Sequence, residues 1–333
     1  MENSQETEPT FVIALAKQDK NSDDFVASLK ETMPKVKVVR VKNSYKDLET
    51  IKEDIRLQWP VYEAQGAIII STGISTSKNK VILTAQKFPE NLKKLVQLKY
   101  GKDIEFEIDE KFVIPQPSGS AARFKKWNTL GGGIGISSSS GDCSTAATGT
   151  KNGVRFIITA GHCVKNNGGA VWQFENLSEN FVGVQHFDAR NSHGDRYGID
   201  LGLVRITDTA RTLSNYVLKN GTSGYDANFN STGNFYEFQN ICKAGITTDY
   251  TCGLVGSVSR DAKYTDGYTY KDVAQLDSFK SGETLAKPGD SGGTVWSGET
   301  LLGVISGVGT FTYAAKISYV PSLFGNDFQI KLN

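Results

Sequence analysis

The chain has 333 residues, which is enough for two or three ordinary domains. Its 38% hydrophobic and 22% charged content is typical of a soluble globular protein, and its net charge of +1 argues against nucleic acid as the main partner. The longest apolar runs, such as FVIALA at 11–16, are far too short to span a bilayer, and the polar start MENSQETEPT lacks the basic and apolar regions of a secretory signal.

The composition changes near residue 115. Only three of the 34 glycines and none of the four cysteines precede that residue. Helix-rich segments avoid glycine, whereas all-β folds with many turns use it freely. The stretch IPQPSGSAARFKKW at 114–127 has the Pro, Gly and Ser of an exposed linker. The sequence therefore predicts domains at 1–115 and 129–333, joined by a linker at 116–128.

The first region is predicted to be an α/β or α+β domain with the element order β-α-β-α-β-β-α-β. Its candidate strands are TFVIALAK, KVKVVRVK, GAIIIS, NKVILTAQ and DIEFEID, and its candidate helices are NSDDFVASLKETM, SYKDLETIKEDIRLQ and PENLKKLVQLKYG. Ser22 or Asn21 is the expected N-cap of the first helix, and Gly101 ends the third. The apolar stripe of the second helix is predicted to hold Leu48, Ile51, Ile55 and Leu57. No metal cluster, phosphate loop or acid pair stands out, so this region alone predicts no activity.

The second region is predicted to be all-β. Short apolar segments alternate with Gly, Asn, Asp and Ser, a spacing typical of an antiparallel sandwich or barrel. The candidate strands are GVRFIITA, AVWQFEN, NFVGVQHF, LGLVRI, GLVGSVS, DVAQLDSF, GTVWSG and LLGVISG.

Three short motifs of this region could carry chemistry. KPGDSGGTVW at 287–296 places Ser291 between glycines, which makes either an ordinary surface turn or a serine nucleophile among converging N–H groups. A nucleophile needs a base and an orienter. His162 ends an apolar strand in FIITAGHCV, and Asp200 lies among apolar residues in RYGIDLGLVRI. Taken singly, each could be structural, as a histidine at a strand end or an exposed acid at a strand start.

The motifs TAGHC, IDLGLV and GDSGG follow one another in the order His, Asp, Ser, unlike the orders of α/β-hydrolases and subtilisins. The region from about 130 to 333 resembles the chymotrypsin-fold serine proteases, and more closely their bacterial streptogrisin and α-lytic protease branch. CSTAATGTKNGVRFIITAGHC, ICKAGITTDYTCGLVGSV and ISYVPSLFG are similar to further segments of that branch. The resemblance implies a chymotrypsin-like double six-stranded antiparallel β-barrel.

The resemblance also implies a role for individual residues. His162 would be the general base and acid, Asp200 its orienter and Ser291 the nucleophile. The backbone N–H groups of Gly289 and Ser291 would form the oxyanion hole. Ser306, in VISGV, matches the serine that donates to the triad aspartate. His186 and His193 match no catalytic position, and we expect them to be loop or strand-edge residues.

The four cysteines allow three disulfide connectivities by sequence alone. The resemblance selects Cys143–Cys163 and Cys242–Cys252, while the absence of any C-x₂-C pair argues against the rival metal site. Disulfides imply an oxidising compartment and hence secretion, so we expect a leader that this sequence does not show. The sequence predicts no metal and no cofactor.

A buried ion pair and an apolar specificity pocket are further expectations. Asp290 is expected to be buried and to need a cation, and Lys243 stands where the bacterial branch has an arginine. Glutamate-specific relatives have a histidine one residue before the Ser306 position, which is Ile305 here. The predicted pocket favours small or medium apolar side chains at P1, the residue before the cleaved bond, and its expected residues are Leu285, Ala286, Pro288, Ile305 and Val308.

The first region is expected to assist the second. The stretch 71–109 looks like the tail of the pro-region that, in bacterial relatives, aids folding and then inhibits the protease. An independent binding domain or a targeting module are the alternatives. ARFKK at 122–126 is expected to be an exposed, basic cut site, or else part of a plain soluble linker.

The whole chain is therefore expected to be a secreted bacterial serine endopeptidase. It would be made as a monomeric zymogen that acts on peptides or proteins, with neither nucleic acid nor membrane as a partner. A catalytically silent homologue that serves as a binding module, or an esterase or narrow processing enzyme, are the competing readings.

Overall fold

In a computed structural model of the chain, the described residues are 12–16, 19–33, 35–108, 119–165, 168–174, 178–221, 223–279, 283–309 and 311–333. The helices of the first region are α1 (Lys20–Thr32), α2 (Tyr45–Leu57), α3 (Trp59–Ala64) and α4 (Glu90–Tyr100). Its strands are β1 (Val12–Leu15), β2 (Lys37–Arg40), β3 (Ile68–Ser75), β4 (Lys80–Lys87) and β5 (Ile104–Ile108). No helix in the described part of the chain is both long and apolar enough to cross a bilayer.

The elements of the first region follow the predicted order, with α3 added. The expected N-cap of α1 is wrong: Asp19 caps the helix, and Ser22 lies at the third helical position, where its hydroxyl accepts a hydrogen bond from the Asp19 N–H. α3 was not predicted because it is a single short turn directly after α2, with Pro60 near its start.

The core of the first region lies between the helices and the β3–β4–β5 sheet. Leu48 and Ile55 of α2 are buried there as predicted, but Leu57 is 59% exposed. A helix turns by about 100° per residue, so Leu57 lies nearly opposite Ile55. The core residues from the other elements include Trp59, Tyr62, Ile69, Ile74, Val81, Leu83, Leu92, Val96 and Ile104.

The second region is made almost entirely of strands. Its first half contains β6 (Thr129–Gly132), β7 (Gly135–Ser138), β8 (Gly141–Ser144), β9 (Ala147–Lys151), β10 (Val154–Thr159), β11 (Ala170–Trp172), β12 (Phe181–Asp188), β13 (Tyr197–Gly198) and β14 (Gly202–Ile206). Its second half contains β15 (Thr212–Val217), β16 (Ala227–Asn228), β17 (Ser231–Thr232), β18 (Asn240–Gly245), β19 (Asp249–Lys263), β20 (Thr269–Ser278), β21 (Thr294–Ser297), β22 (Thr300–Val308) and β23 (Thr312–Lys316), followed by α5 (Val320–Phe324) and β24 (Gln329–Ile330).

Two antiparallel sheets organise these strands. Eight strands form one sheet in the order β24-β9-β10-β14-β12-β11-β7-β8. In the other, the order β20-β23-β22-β21-β18-β19 closes on itself because β19 also pairs with β20, which makes a closed six-stranded barrel. The largest apolar core of the second region draws residues from both halves.

The first region adds strands to this barrel. β3 pairs antiparallel with the end of β19, from Ser259 opposite Ile74 to Ala262 opposite Ser71. β4 and β5 then extend the sheet outward. The sequence analysis did not predict this joint sheet, which places the first region beside the β19–β20 hairpin.

The predicted linker is only partly described, because residues 116–118 lie outside the described residues. The following segment packs onto the second region, with a 3₁₀ turn at Ala121–Phe124. Ala122 is 4% exposed and Arg123 is 1% exposed. The expectation of an exposed cut site at 122–126 is therefore wrong for its first residues, although Lys125 and Lys126 are exposed.

Candidate active site

His162 and Asp200 are held together by two hydrogen bonds. β10 ends at Thr159, and the 3₁₀ turn Gly161–Val164 then presents His162 at the strand end. The backbone N–H of His162 donates to Asp200 Oδ1 at 2.9 Å, and its ring Nδ1 lies 2.9 Å from Asp200 Oδ2. One carboxylate thus fixes both the backbone and the ring of the histidine.

Asp200 is completely buried and fully satisfied. Ser306 of β22 donates its hydroxyl to Asp200 Oδ2 at 2.6 Å. Burial raises the pKa of Asp200, but the charge and hydrogen bonds of His162 and the hydrogen bond from Ser306 outweigh it, so the pKa lies below its usual value. The carboxylate is therefore charged at neutral pH and can stabilise a positive imidazole.

Ser291 follows a tight turn that depends on glycine. The N–H of Asp290 donates to the carbonyl of Lys287 at 3.0 Å, Pro288 is the second residue of the turn and Gly289 has φ +99°. A proline followed by a positive-φ glycine is typical of a type II turn. The N–H groups of Gly289 and Ser291 donate to no acceptor among the described residues, so both remain available to a ligand.

Ser144 ties this turn to the first half of the second region. Its hydroxyl donates to the carbonyl of Gly289 at 2.9 Å and accepts from the N–H of Ile246 at 3.0 Å. Its own N–H donates to the carbonyl of Ser291 at 2.7 Å. Ser144 thus holds the carbonyls of Gly289 and Ser291, the two residues whose N–H groups have no described acceptor. The sequence gave no signal for Ser144.

Asp290 and Lys243 are a buried ion pair, and both are completely buried. Asp290 Oδ1 accepts from the N–H groups of Thr247 at 2.8 Å and Thr248 at 3.2 Å, and its Oδ2 accepts from the Thr248 hydroxyl at 2.6 Å and lies 3.3 Å from Lys243 Nζ. Burial lowers the pKa of Lys243 to about 8, although Asp290 acts in the opposite direction. The pair therefore fixes Asp290, the last residue of the turn Lys287–Asp290, on the buried side of that turn.

His162 and Ser291 line one cleft, but no hydrogen bond joins the Ser291 hydroxyl to the His162 ring in the described structure. Serine–histidine contacts are often loose without substrate. The other residues that line the cleft are Ile70, Lys165, Lys263, Tyr264, Thr265, Asp266, Tyr270, Pro288, Ser306, Gly307, Val308, Gly309 and Tyr313.

Tyr264 and Gly307 form a wall of the cleft that the sequence analysis missed. A Cβ atom at Gly307 would lie 1.7 Å from Tyr264 Cε1, so the tyrosine ring fills the space of a side chain at position 307. The available signal was the tyrosine-rich segment KYTDGYTY at 263–270, which forms the tip of the β19–β20 hairpin. Ile70 belongs to the first region and gave no signal.

The predicted specificity-pocket residues fall into two groups. Pro288 and Val308 line the cleft. Leu285, Ala286 and Ile305 instead lie in the apolar core behind it, each at most 2% exposed. Apolar residues therefore line this side of the cleft and also pack behind it.

The other predicted positions lie outside the cleft. His186 packs against the Phe156 ring with a centroid distance of 5.3 Å. His193 Nδ1 lies 2.9 Å from the hydroxyl of Ser192. Neither histidine lines the cleft.

The cysteines are paired as Cys143–Cys163 and Cys242–Cys252. The first bond lies beside His162, and the second joins β18 to β19. Among the described residues, the one cluster of possible metal ligands is Cys143, His162 and Cys163, and its two sulfurs are already bonded to each other. The cluster therefore lacks the thiolates that a metal would need.

A buried Asp–His pair next to a serine on a glycine turn is the type of site that serine hydrolases use. The family model named Trypsin matches residues 129–322, which is more than half of the chain. The chain belongs to this trypsin family of serine proteases. The predicted family and the chymotrypsin-like fold are thereby confirmed.

The similar curated proteins are bacterial proteases. Serine protease 1 of Streptomyces fradiae is 33% identical over 178 residues, which cover 54% of this chain and 44% of that protein. Glutamyl endopeptidase 2 of Streptomyces griseus is also 33% identical, over 54% of this chain and 84% of that protein. Streptogrisin-A of Streptomyces griseus is 28% identical over 59% of this chain and 60% of that protein.

Two solved protease structures match a similar share of this chain. Nocardiopsis protease (NAPase) matches with a TM-score of 0.49 and 25% identity, over 61% of this chain and 99% of that chain. A glutamic acid specific serine protease matches with a TM-score of 0.49 and 28% identity, over 60% of this chain and 100% of that chain.

Proposed function

We propose that the chain is a serine endopeptidase that cleaves peptide bonds through an acyl-enzyme intermediate. His162 takes the proton of the Ser291 hydroxyl as that oxygen attacks the carbonyl carbon, and it later protonates the leaving amine. Asp200 orients His162 and stabilises its charged form, and Ser306 supports Asp200. The double hydrogen bond from His162 to Asp200 carries this assignment.

The oxyanion hole is formed by the N–H groups of Gly289 and Ser291. Both are without a described acceptor, and the type II turn gives Gly289 the positive φ that exposes such a donor. Loss of one such donor typically costs about 2.7–4 kcal/mol in the activation barrier.

An active-site-directed peptidyl phosphonate tests the catalytic assignment. The wild-type protein should gain the mass of the phosphonyl group on Ser291, and Ser291→Ala should neither react nor cleave peptides. Ser297→Ala, at the end of β21, is the control and should react normally. A catalytically silent binding protein is the competing function, because no hydrogen bond joins Ser291 to His162 in the described structure. A wild-type protein that stays unlabelled after residues 1–115 have been removed would support it.

We infer a preference for small or medium apolar side chains at P1. The supporting observations are Pro288 and Val308 at the cleft and Ile305 behind it. One relative is named a glutamyl endopeptidase. In this chain, Ile305 stands where glutamate-specific relatives have a histidine, and His186 and His193 lie elsewhere. Peptides that differ only at P1 test this, and preferred cleavage after Glu, Lys or Arg would contradict it.

We propose that residues 1–115 act as a pro-region. Three strands of this region extend the protease sheet, and Ile70 reaches the cleft. An all-β fold with many non-local contacts folds slowly, and a docked strand can lower that barrier. Added separately, residues 1–115 should speed the refolding of the rest of the chain and inhibit it. Equal refolding yields with and without them would point to a targeting or binding domain.

We propose that the maturation cut lies before Gly119. Cleavage at Arg123 would break a buried segment. Mass spectrometry of the mature amino terminus tests this, and a terminus after Arg123 would contradict it. The two disulfides and the bacterial relatives support a secreted protein, and we expect it to be monomeric.

A further inference from the structure

The segment Gly119–Arg123 is hydrogen-bonded to the outside of the turn between β18 and β19. The N–H of Gly119 donates to the carbonyl of Ile246 at 2.9 Å. The N–H of Ser120 and the Nε of Arg123 both donate to Asp249 Oδ1, at 2.8 and 2.6 Å. A Cβ atom at position 119 would lie 2.0 Å from the carbonyl oxygen of Ile246, so only glycine allows this approach.

Arg123 is itself rigidly placed, because it is buried and both of its terminal nitrogens donate to backbone carbonyls. Nη1 donates to Gly133 at 2.6 Å and to Leu218 at 2.8 Å, and Nη2 donates to Lys219 at 2.7 Å. The guanidinium therefore links the Asp249 carboxylate to the backbone at Gly133, Leu218 and Lys219. These bonds counter the cost of burying its charge.

The inside of the same turn holds the oxyanion turn Lys287–Asp290. Thr247 Oγ1 donates to the carbonyl of Pro288 at 2.6 Å, and the N–H groups of Thr247 and Thr248 donate to Asp290. The carbonyl of Asp249 accepts from Lys243 Nζ at 3.1 Å. Asp249 has φ +50°, an unusual conformation for a residue with a side chain, so the turn depends on contacts that hold it.

We propose that Arg123, acting through the Asp249 carboxylate, is a positioning residue for the oxyanion turn Lys287–Asp290. The segment Gly119–Arg123 thus supports the oxyanion turn through Asp249, while Lys243 pairs with Asp290 of that turn on its buried side. Arg123 does not line the cleft that holds His162 and Ser291. The proposal rests on the proposed serine peptidase function.

Asp249→Asn is the informative variant. Asparagine tolerates a positive φ, so the turn can keep its conformation, but the charge that pairs with Arg123 is lost. The Asp249 side chain is 40% exposed and Arg123 is 1% exposed, so the change leaves a buried guanidinium without its carboxylate.

Asp208→Asn is the matched control. Asp208 Oδ2 pairs with Nε of Arg211 at 2.8 Å, with side-chain exposures of 26% and 0%. Arg211 also donates to backbone carbonyls, among them that of Trp127 at 2.9 Å. The same Asp–Arg chemistry is therefore removed at a site that makes no contact with the oxyanion turn.

The full chain is expressed in each form, and its active product is compared for kcat, KM, inhibition by a peptide boronic acid and thermal unfolding. A boronate uses the oxyanion hole as the transition state does. In Asp249→Asn, kcat should fall about tenfold and the boronate inhibition constant should rise about tenfold, with KM within about twofold of wild type. In Asp208→Asn, kcat and boronate inhibition should stay within about twofold, even if the unfolding midpoint falls equally in both variants.

A kcat within about twofold of wild type in Asp249→Asn would overturn the proposal, and so would an equal loss of kcat in Asp208→Asn. A wild-type product that neither cleaves peptides nor reacts with the phosphonate would instead overturn the proposed function. The two failures are thereby distinguished.

Discussion

The two regions of the molecule treat buried charge differently. Among the described residues of the first region, Lys52 is the one buried charged side chain. The second region and the segment that leads into it bury many, namely Arg123, Arg190, Asp200, Arg211, Lys243, Arg260, Asp261 and Asp290. A buried charge is costly unless it is paired and hydrogen-bonded. The second region therefore pairs most of its buried charges internally, whereas the described part of the first region buries a single charge.

Lys52 finds its partners only in the second region. Its Nζ lies 3.4 Å from Asp261 Oδ1 and donates to the hydroxyl of Ser259 at 3.2 Å. Arg260 makes the reciprocal contact, because its Nη1 donates to Thr84 at 2.8 Å. A Cβ atom at Gly73 would lie 2.3 Å from Arg260 Cγ, so a glycine makes room for this arginine. Arg260 Nη2 also lies 3.6 Å from Glu107 Oε2, so each region carries a buried charge whose ion-pair partner lies in the other region.

The largest effect is expected inside the second region, at the buried carboxylate that contacts His162. Asp200→Asn keeps the shape of the side chain but removes the charge that orients and stabilises His162. We expect kcat to fall about 10⁴-fold. Steady-state kinetics on an apolar-P1 peptide measure it, and Asp226→Asn, in a surface loop, is the control. A loss smaller than about tenfold would show that Asp200 is not the orienter.

An intermediate effect is expected between the regions. Lys52→Ala removes the nearer of the two cations of Asp261 and leaves only Arg56, whose Nε lies 4.0 Å from Asp261 Oδ2. It should cost about 3 kcal/mol of docking free energy, or roughly a hundredfold in the inhibition constant of residues 1–115. Lys42→Ala removes an exposed pair with Asp103 within the first region and should cost less than about 1 kcal/mol. Equal inhibition constants for the two variants would mean that buried charge does not govern docking.

The smallest effect concerns the pH dependence of the Lys243–Asp290 pair. The pKa of Lys243 is lowered from 10.5 to about 8, chiefly by burial. Above pH 8 the folded chain releases this proton before the unfolded chain does, so the group makes the free energy of unfolding rise with pH between about 8 and 10.5. Over the same range Asp290 loses its charged partner, and we expect kcat to fall several-fold.

Lys243→Arg sharpens this prediction, because a guanidinium stays charged throughout that range. The variant should keep a flat kcat on the alkaline side, provided that circular dichroism shows a wild-type fold. Superimposable alkaline profiles for the two proteins would show that the charge of Lys243 does not support the turn.

Several features were predictable because they are local or carry a recognisable motif. The order of elements in the first region follows from apolar periodicity and from glycine and proline signals, and the GDSGG, TAGHC and IDLGLV motifs predicted the residues that the structure gathers around one cleft. The pairing of Ser306 with Asp200 followed from the resemblance, not from the spacing of the residues. The predicted N-cap of α1 was wrong because Asp19, Asn21 and Ser22 are all good capping residues, and only the backbone conformation distinguishes them.

By itself the sequence determined the two composition regions, the serine protease family and the positions His162, Asp200 and Ser291. Only the tertiary structure decided that β3 pairs with β19, that Lys52 meets Asp261 and that Arg123 is buried against Asp249. These contacts join residues more than 120 positions apart in the chain. A local sequence pattern indicates the secondary structure of a segment and the face that it buries. A pairing between distant segments depends on how the whole chain packs, so no local pattern in a single sequence predicts it.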